Sequence, residues 1–209
     1  MVDDEANVGD LMKQVTSKEP DMVEFRLDRL HQRGPLEAIA KKKSCPLIAA
    51  DRSDRSQARK LEELSAAASV GFDFVDVDFS RTSPAEVKQL RSQGVQVILS
   101  THNYSKTPSR EELSKILRAQ KRLGGDMCKL VTTARLPRDN LTILSFLESE
   151  AANTKLVAFA MGREGVASRV LSPLFGAQFT FASLSRESST ADGQLTIDEL
   201  RSAWRILGI

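Results

Sequence analysis

Seven short runs rich in apolar and β-branched residues, at 22–27, 47–50, 72–79, 95–100, 127–131, 156–160 and 178–182, alternate with seven longer stretches of helical spacing, at 35–42, 57–69, 84–93, 109–123, 137–150, 165–173 and 197–207. Alternation of this kind implies parallel strands joined by right-handed helical crossovers, hence an α/β fold that is either a doubly wound open sheet or a closed (β/α)8 barrel. No GxGxxG follows the first run, so the dinucleotide-binding fingerprint is missing. A barrel needs eight strands, and the one not visible must precede Leu11, where residues 1–10 offer only Val2, Ala6 and Val8. The expectation is a (β/α)8 barrel with a short or irregular first strand. Ser109 with Glu112, and Thr196 with Glu199, have the spacing of capping boxes. Gly71, Gly94, Gly124 and Gly176 sit just before strands, where a helix stops most cheaply in a left-handed residue.

No repeat, low-complexity tract or linker divides the 209 residues, so the reading is one catalytic domain over 1–209, long enough to bury roughly 70% of its unfolded surface without staples. Lys+Arg 30 against Asp+Glu 28 leaves a net charge of +2, too balanced to point to nucleic acid, although a few arginines in a cleft could still hold an acidic small molecule. Cys45 and Cys128 are isolated from each other and from ligand-spaced histidines, which suggests a reducing compartment and no zinc site. The acidic start MVDDEANVGD does not read as a secretory leader, and no apolar run approaches the roughly 18 to 20 residues that span a bilayer. Together these features suggest a cytoplasmic protein without a membrane partner.

Polar residues on the strands carry the chemistry. In VEFRLD, the charged Glu24, Arg26 and Asp28 share one parity and Val23, Phe25 and Leu27 the other. A solvated strand face would explain that pattern in an antiparallel sheet; in a parallel sheet covered by helices, the same face looks into the barrel mouth. Asp76 and Asp78 share a face in DFVDVDF, as do Ser100 and His102 in VILSTH, and Met127, Lys129 and Val131 in DMCKLV. A lysine amid an apolar strand loses hydration, which favours the neutral amine, unless it snorkels from the strand end. A neutral amine near a histidine and arginines suits one chemistry well. The amine attacks a ketone, loses water and leaves a protonated imine as an electron sink, while the histidine moves protons.

EFRLD at 24–28, THNYSKTP at 101–108, GGDMCKL at 124–130, MGREGVASR at 161–169 and ADGQ at 191–194 occur in the order found in one family. The chain resembles type I 3-dehydroquinate dehydratase, the Schiff-base dehydratase of the shikimate pathway of aromatic amino acid biosynthesis. The resemblance implies a (β/α)8 barrel, no metal and no cofactor, and a homodimer. It also implies a lyase that converts 3-dehydroquinate, an anionic cyclic keto acid, to 3-dehydroshikimate by syn elimination of water. By position, Lys129 matches the imine-forming lysine and His102 the general acid/base, while Asp78 stands where a glutamate commonly orients the histidine. Arg169 matches the arginine that holds the substrate carboxylate. Glu24, Arg26 and Arg52 match the polar residues around the substrate's hydroxyl face, with Arg55 as a competitor for Arg52. Gln194 matches a glutamine on the closing loop, and Thr190 is placed with it among the substrate-binding residues.

The departures from the family are THNY in place of a histidine-aspartate pair, and Asp192 in place of a proline in the last loop. A different lysine-imine barrel, such as an aldolase, would share Lys129 but not the need for His102. A non-catalytic ligand-binding barrel would need neither. The turn in MGREGVASR, with Gly162 and Gly165 before a helix, could present free N–H groups to a carboxylate. Trp204, Leu200 and Leu207 read as a packing face of the last helix, Lys41 to Lys43 as a solvated charge run, and Cys128 as buried packing.

Overall fold

The described part of the chain opens on a helix where the sequence suggests a short or irregular strand. In the computed structural model, which describes residues 5–30 and 35–209, α1 (Glu5–Lys18) covers Ala6 and Val8, and Val2 lies outside the described residues. The physical reason for the difference is the spacing of Val8, Met12 and Val15, one helical face, with all three at most 3% exposed. Glu19, at φ 44°, and Pro20 end the helix.

Two compact units make up the chain, Met1–Leu99 with Leu123–Gly125 and Ser100–Arg122 with Asp126–Ile209. The first continues from α1 through β1 (Val23–Arg26), α2 (Pro35–Lys41), β2 (Leu47–Ala50), α3 (Gln57–Ser69), β3 (Phe74–Asp78) and α4 (Pro84–Arg91) to the start of β4 (Gln96–His102). β1, β2 and β3 pair in parallel, with Phe25 opposite Ala49 and Ala49 opposite Val75, and Gln96 N–H donates to Asp73 O beside β3. Phe25, Leu47, Ala49, Val75 and Val77 bury their side chains against Ile39, Leu64 and Leu90 of the helices. Each large aliphatic side chain so buried contributes roughly 1.5 to 3 kcal/mol. Ser83 and Glu86 close a capping box at the start of α4, with Pro84 just inside. Of the lysine run, Lys41 pairs with Glu37, and Lys43 is bound to Asp73 and Gly71 O rather than merely solvated.

The second unit takes the end of β4 and adds α5 (Arg110–Leu123), β5 (Met127–Thr133), α6 (Asp139–Glu150), β6 (Leu156–Met161), α7 (Val166–Leu171) and α8 (Ile197–Leu207). β5 and β6 pair in parallel from Cys128 opposite Leu156 to Thr133 opposite Met161. Cys128 and Leu130 pack with Leu113 and Leu117 of α5 and with Ile143 and Leu147 of α6. Strand alternation then turns Lys129 and Val131 to the other face. Burial pushes the Cys128 thiol up to about 11, which fits a packing role.

Residues 178–182, expected as a seventh strand, run beside β6 through one bond, Gln178 N–H to Leu156 O, but form no ladder. The segment is held from its other side: the Thr180 hydroxyl donates to Arg169 O, and Ser183 bridges to Thr196 at the start of α8. Both expected capping boxes form, and Gly71, Gly94, Gly124 and Gly176 all have positive φ. On α8, Leu200 is buried and Trp204 donates its indole N–H to Val170 O, whereas Leu207 is 53% exposed and does not join that face.

Candidate active site

Lys129 is the buried centre of β5, 4% exposed, with its Nζ 4.1 Å from the ring centroid of Phe181. Phe181 also meets the second cation: its carbonyl accepts from Arg169 Nη1 at 3.2 Å. Arg169, on α7, is 2% exposed, and its guanidinium lies 4.3 Å from the Phe159 ring centroid. Its Nε has no hydrogen-bond partner, and among the described residues no acidic side chain acts on it. Burial lowers its pKa to about 10, so the guanidinium keeps its charge at neutral pH. Amine and guanidinium therefore meet at one aromatic residue, which the sequence did not single out because only the tertiary fold brings 181 beside 129 and 169.

His102 ends β4, half-buried, with its imidazole stacked on Tyr104 at a centroid distance of 5.9 Å and 15° between planes. β4 and β5 are neighbours in the sheet. Thr101 binds Gln120 of α5 through its hydroxyl, so His102, one residue on, projects to the face away from α5. Lys129 projects to that same face, since its neighbours Cys128 and Leu130 pack toward α5 and α6. The Asn103 side chain explains the THNY departure: Oδ1 accepts from Ser105 N–H, Ser105 Oγ and Lys106 N–H, which an aspartate would accept equally well. A cavity of about 480 Å³ is lined by His102 together with Thr101, Leu130, Val131 and Thr132 of the strands and Leu113 and Ile116 of α5.

Gln194 is buried, with its Oε1 accepting from Thr190 N–H at 2.8 Å, Thr190 Oγ1 at 3.2 Å and Ser189 Oγ at 3.4 Å. Thr190 is exposed and turned toward Gln194. The same loop rests on the turn before α7, where Gly162 N–H donates to Asp192 O. Because that contact uses the Asp192 carbonyl, a proline there would present the same acceptor. Gly193 has φ 73°, and a Cβ on it would lie 2.4 Å from Gly162 O, so both conformation and space demand glycine. Of the N–H groups in this turn, Gly162 N–H goes to Asp192 O, Gly165 N–H to Gly162 O and Ser168 N–H to Asn140 Oδ1.

The remaining candidates lie in the first unit. Arg26 clamps Asp28 with two bonds, Nε to Oδ1 at 2.9 Å and Nη2 to Oδ2 at 2.6 Å, and Asp28 also accepts from Arg52 N–H. Burial pushes the Asp28 carboxyl up, but the Arg26 hydrogen bond, the Arg52 N–H and the Arg26 charge outweigh it and hold the pKa below its usual value. Arg52 pairs with the buried Asp76 at 2.6 Å, whereas its competitor Arg55 is more exposed and sits 3.7 Å from Asp51. Glu24 is half-buried on β1, and Asp78 Oδ1 accepts from Ser80 N–H and Oγ at the end of β3. Asp28 itself lies in a short turn after β1 and still meets Arg26. Among the described residues, no group of three or more His, Cys, Asp or Glu is placed to hold a metal ion, and no helix is long and apolar enough to cross a membrane.

Residues 1–209 match the family described as "Type I 3-dehydroquinase". The chain is 35% identical to a 3-dehydroquinate dehydratase of Thermococcus onnurineus (strain NA1) over 97% of its own length and 94% of that protein. It is 37% identical to a 3-dehydroquinate dehydratase of Dehalococcoides mccartyi (strain CBDB1) over 72% of its length and 67% of that protein. Among solved structures it resembles the 3-dehydroquinate dehydratase of Geobacillus kaustophilus HTA426, with a TM-score of 0.89 and 26% identity, over 99% of this chain and 88% of that one. The expected α/β class is thereby that of the barrel-fold 3-dehydroquinate dehydratases. On this evidence the chain belongs to the type I 3-dehydroquinases, with 3-dehydroquinate dehydratase as its activity.

Proposed function

We propose that the dehydration runs through a Schiff base on Lys129, with His102 as general acid/base and Arg169 as the holder of the substrate carboxylate. The observation that supports this most is the meeting of amine and guanidinium at Phe181, one over its ring and the other on its carbonyl. That pairing suits a small molecule carrying both a ketone and a carboxylate. The Lys129 amine adds to the ketone, and the carbinolamine loses water to give a protonated imine. His102 removes the proton alpha to the imine; the electron pair moves toward the iminium nitrogen. The resulting enamine expels the hydroxyl group, which His102 protonates to water on the same face, giving syn elimination. Hydrolysis of the conjugated imine releases the product and returns the amine. Gln194, whose Oε1 is already taken by Thr190, presents its Nε2 to a substrate oxygen, and Thr190 keeps it oriented.

Glu24, Arg26, Arg52 and Asp78 are assigned substrate-binding and histidine-orienting roles on their motif positions alone. The proposal also includes a homodimer, a cytoplasmic setting and a single catalytic domain over 1–209, on resemblance and composition. The mechanism is tested by incubating the protein with 3-dehydroquinate and sodium borohydride, then mapping peptides by mass. Hydride reduction of the imine leaves a stable secondary amine on the peptide that carries Lys129. Turnover of substrate with no adduct at Lys129 overturns the mechanism.

Arg169→Lys keeps the charge but loses the planar fork of donors. It is expected to raise KM for 3-dehydroquinate roughly 10- to 100-fold, the scale of one or two lost charged hydrogen bonds. Steady-state kinetics at constant ionic strength checks this; an unchanged KM removes Arg169 from carboxylate binding.

A further inference from the structure

Leu113, Leu117 and residue 120 form the buried stripe of α5, and the third position is glutamine where packing alone calls for another aliphatic residue. Gln120 is 0% exposed. Its Nε2 donates to Thr101 Oγ1 at 3.0 Å and to the main-chain oxygen of Lys129 at 3.3 Å. Because a carbonyl only accepts, the amide cannot be turned the other way. Its Oε1 is left buried without a hydrogen-bond partner, a cost to stability that a leucine would avoid. Packing therefore does not account for this side chain, whereas its two donated bonds have a clear geometric effect. One meets the main chain of the residue carrying the amine, and the other meets the residue immediately before His102. By strand parity, Lys129 and His102 belong to the opposite face of the same two strands.

We propose that Gln120 is a positioning residue, acting from the helix behind the sheet to fix the Lys129 amine and the His102 imidazole at the separation that proton transfer on the imine requires. This rests on the assignment of Lys129 and His102 given above. Misplacement of reacting groups by about 1 Å can cost on the order of a hundredfold in rate, so loss of the tie falls on turnover rather than on binding.

The test compares the parent with Gln120→Leu, Thr101→Val, Thr101→Ser and the double variant Gln120→Leu with Thr101→Val. Gln120→Leu is expected to keep or raise Tm, keep KM for 3-dehydroquinate and still give the borohydride adduct at Lys129, while kcat falls roughly 10- to 100-fold. Thr101→Val is expected to lower kcat and Thr101→Ser to restore it, since serine keeps the acceptor oxygen. The double variant is expected to be no worse than Gln120→Leu alone, because both changes break one linkage. Parental kcat in Gln120→Leu, or additive losses in the double variant, overturns the positioning role. Absence of the adduct at Lys129 in the parent chain is instead the failure of the imine mechanism, so the two failures are told apart.

Discussion

Lys129→Ala is expected to fold, to bind 3-dehydroquinate and to leave it unconverted, with kcat down on the order of a millionfold, the scale on which removal of a covalent nucleophile is felt. Arg169 is the adjacent cation, and its guanidinium, protonated at neutral pH, is no nucleophile. The substitution removes a buried side chain that is 4% exposed and lies over the Phe181 ring, so some packing is lost, but so is the burden of desolvating an amine. Circular dichroism and thermal melting check that the fold persists, and a spectrophotometric assay of the conjugated product reads the turnover. Activity within a factor of ten of the parent would contradict imine catalysis outright.

His102→Ala separates the two halves of the chemistry. Imine formation needs the amine, whereas removal of the alpha proton and protonation of the leaving hydroxyl need a group that titrates near neutrality. The variant is expected to give the borohydride adduct at Lys129 with the substrate skeleton intact and to lose roughly 100- to 10,000-fold in kcat. Its side chain is half-buried at the end of β4 and stacks on a Tyr104 that is 68% exposed, so little of the core depends on it. Near-parental kcat would take His102 out of the mechanism, and loss of the adduct would move it to the imine-forming step.

Much of this was legible in the sequence wherever the signal was local. The Ser109–Glu112 and Thr196–Glu199 boxes satisfy helix ends within four residues, so the chain needs no distant partner to reveal them. The Ser83–Glu86 box has the same signature and was equally readable. Parity along β5 was enough to separate Lys129 from Cys128. The N-terminal expectation failed because a missing eighth strand was sought where Val8, Met12 and Val15 already mark a helical face. Residues 178–182 failed for the opposite reason: their composition is that of a strand, but the Thr180 hydroxyl goes to Arg169 O and the Phe181 carbonyl to the Arg169 guanidinium rather than to a ladder. Gln120 was invisible because glutamine on a helix ordinarily faces water, and only the packed stripe shows it buried. Phe181 was unreadable as a site residue, since its importance lies wholly in what the fold sets at its two ends.

Arg169 has a further consequence for how such a protein lives in a cell. A guanidinium kept out of water, with no acidic partner among the described residues, works against folding. On the proposed role of Arg169, a bound carboxylate relieves that handicap, and resistance to unfolding is expected to grow with the logarithm of the substrate's concentration. Under that reading, supply of the substrate acts as a folding aid, protecting the catalyst most when there is work for it to do.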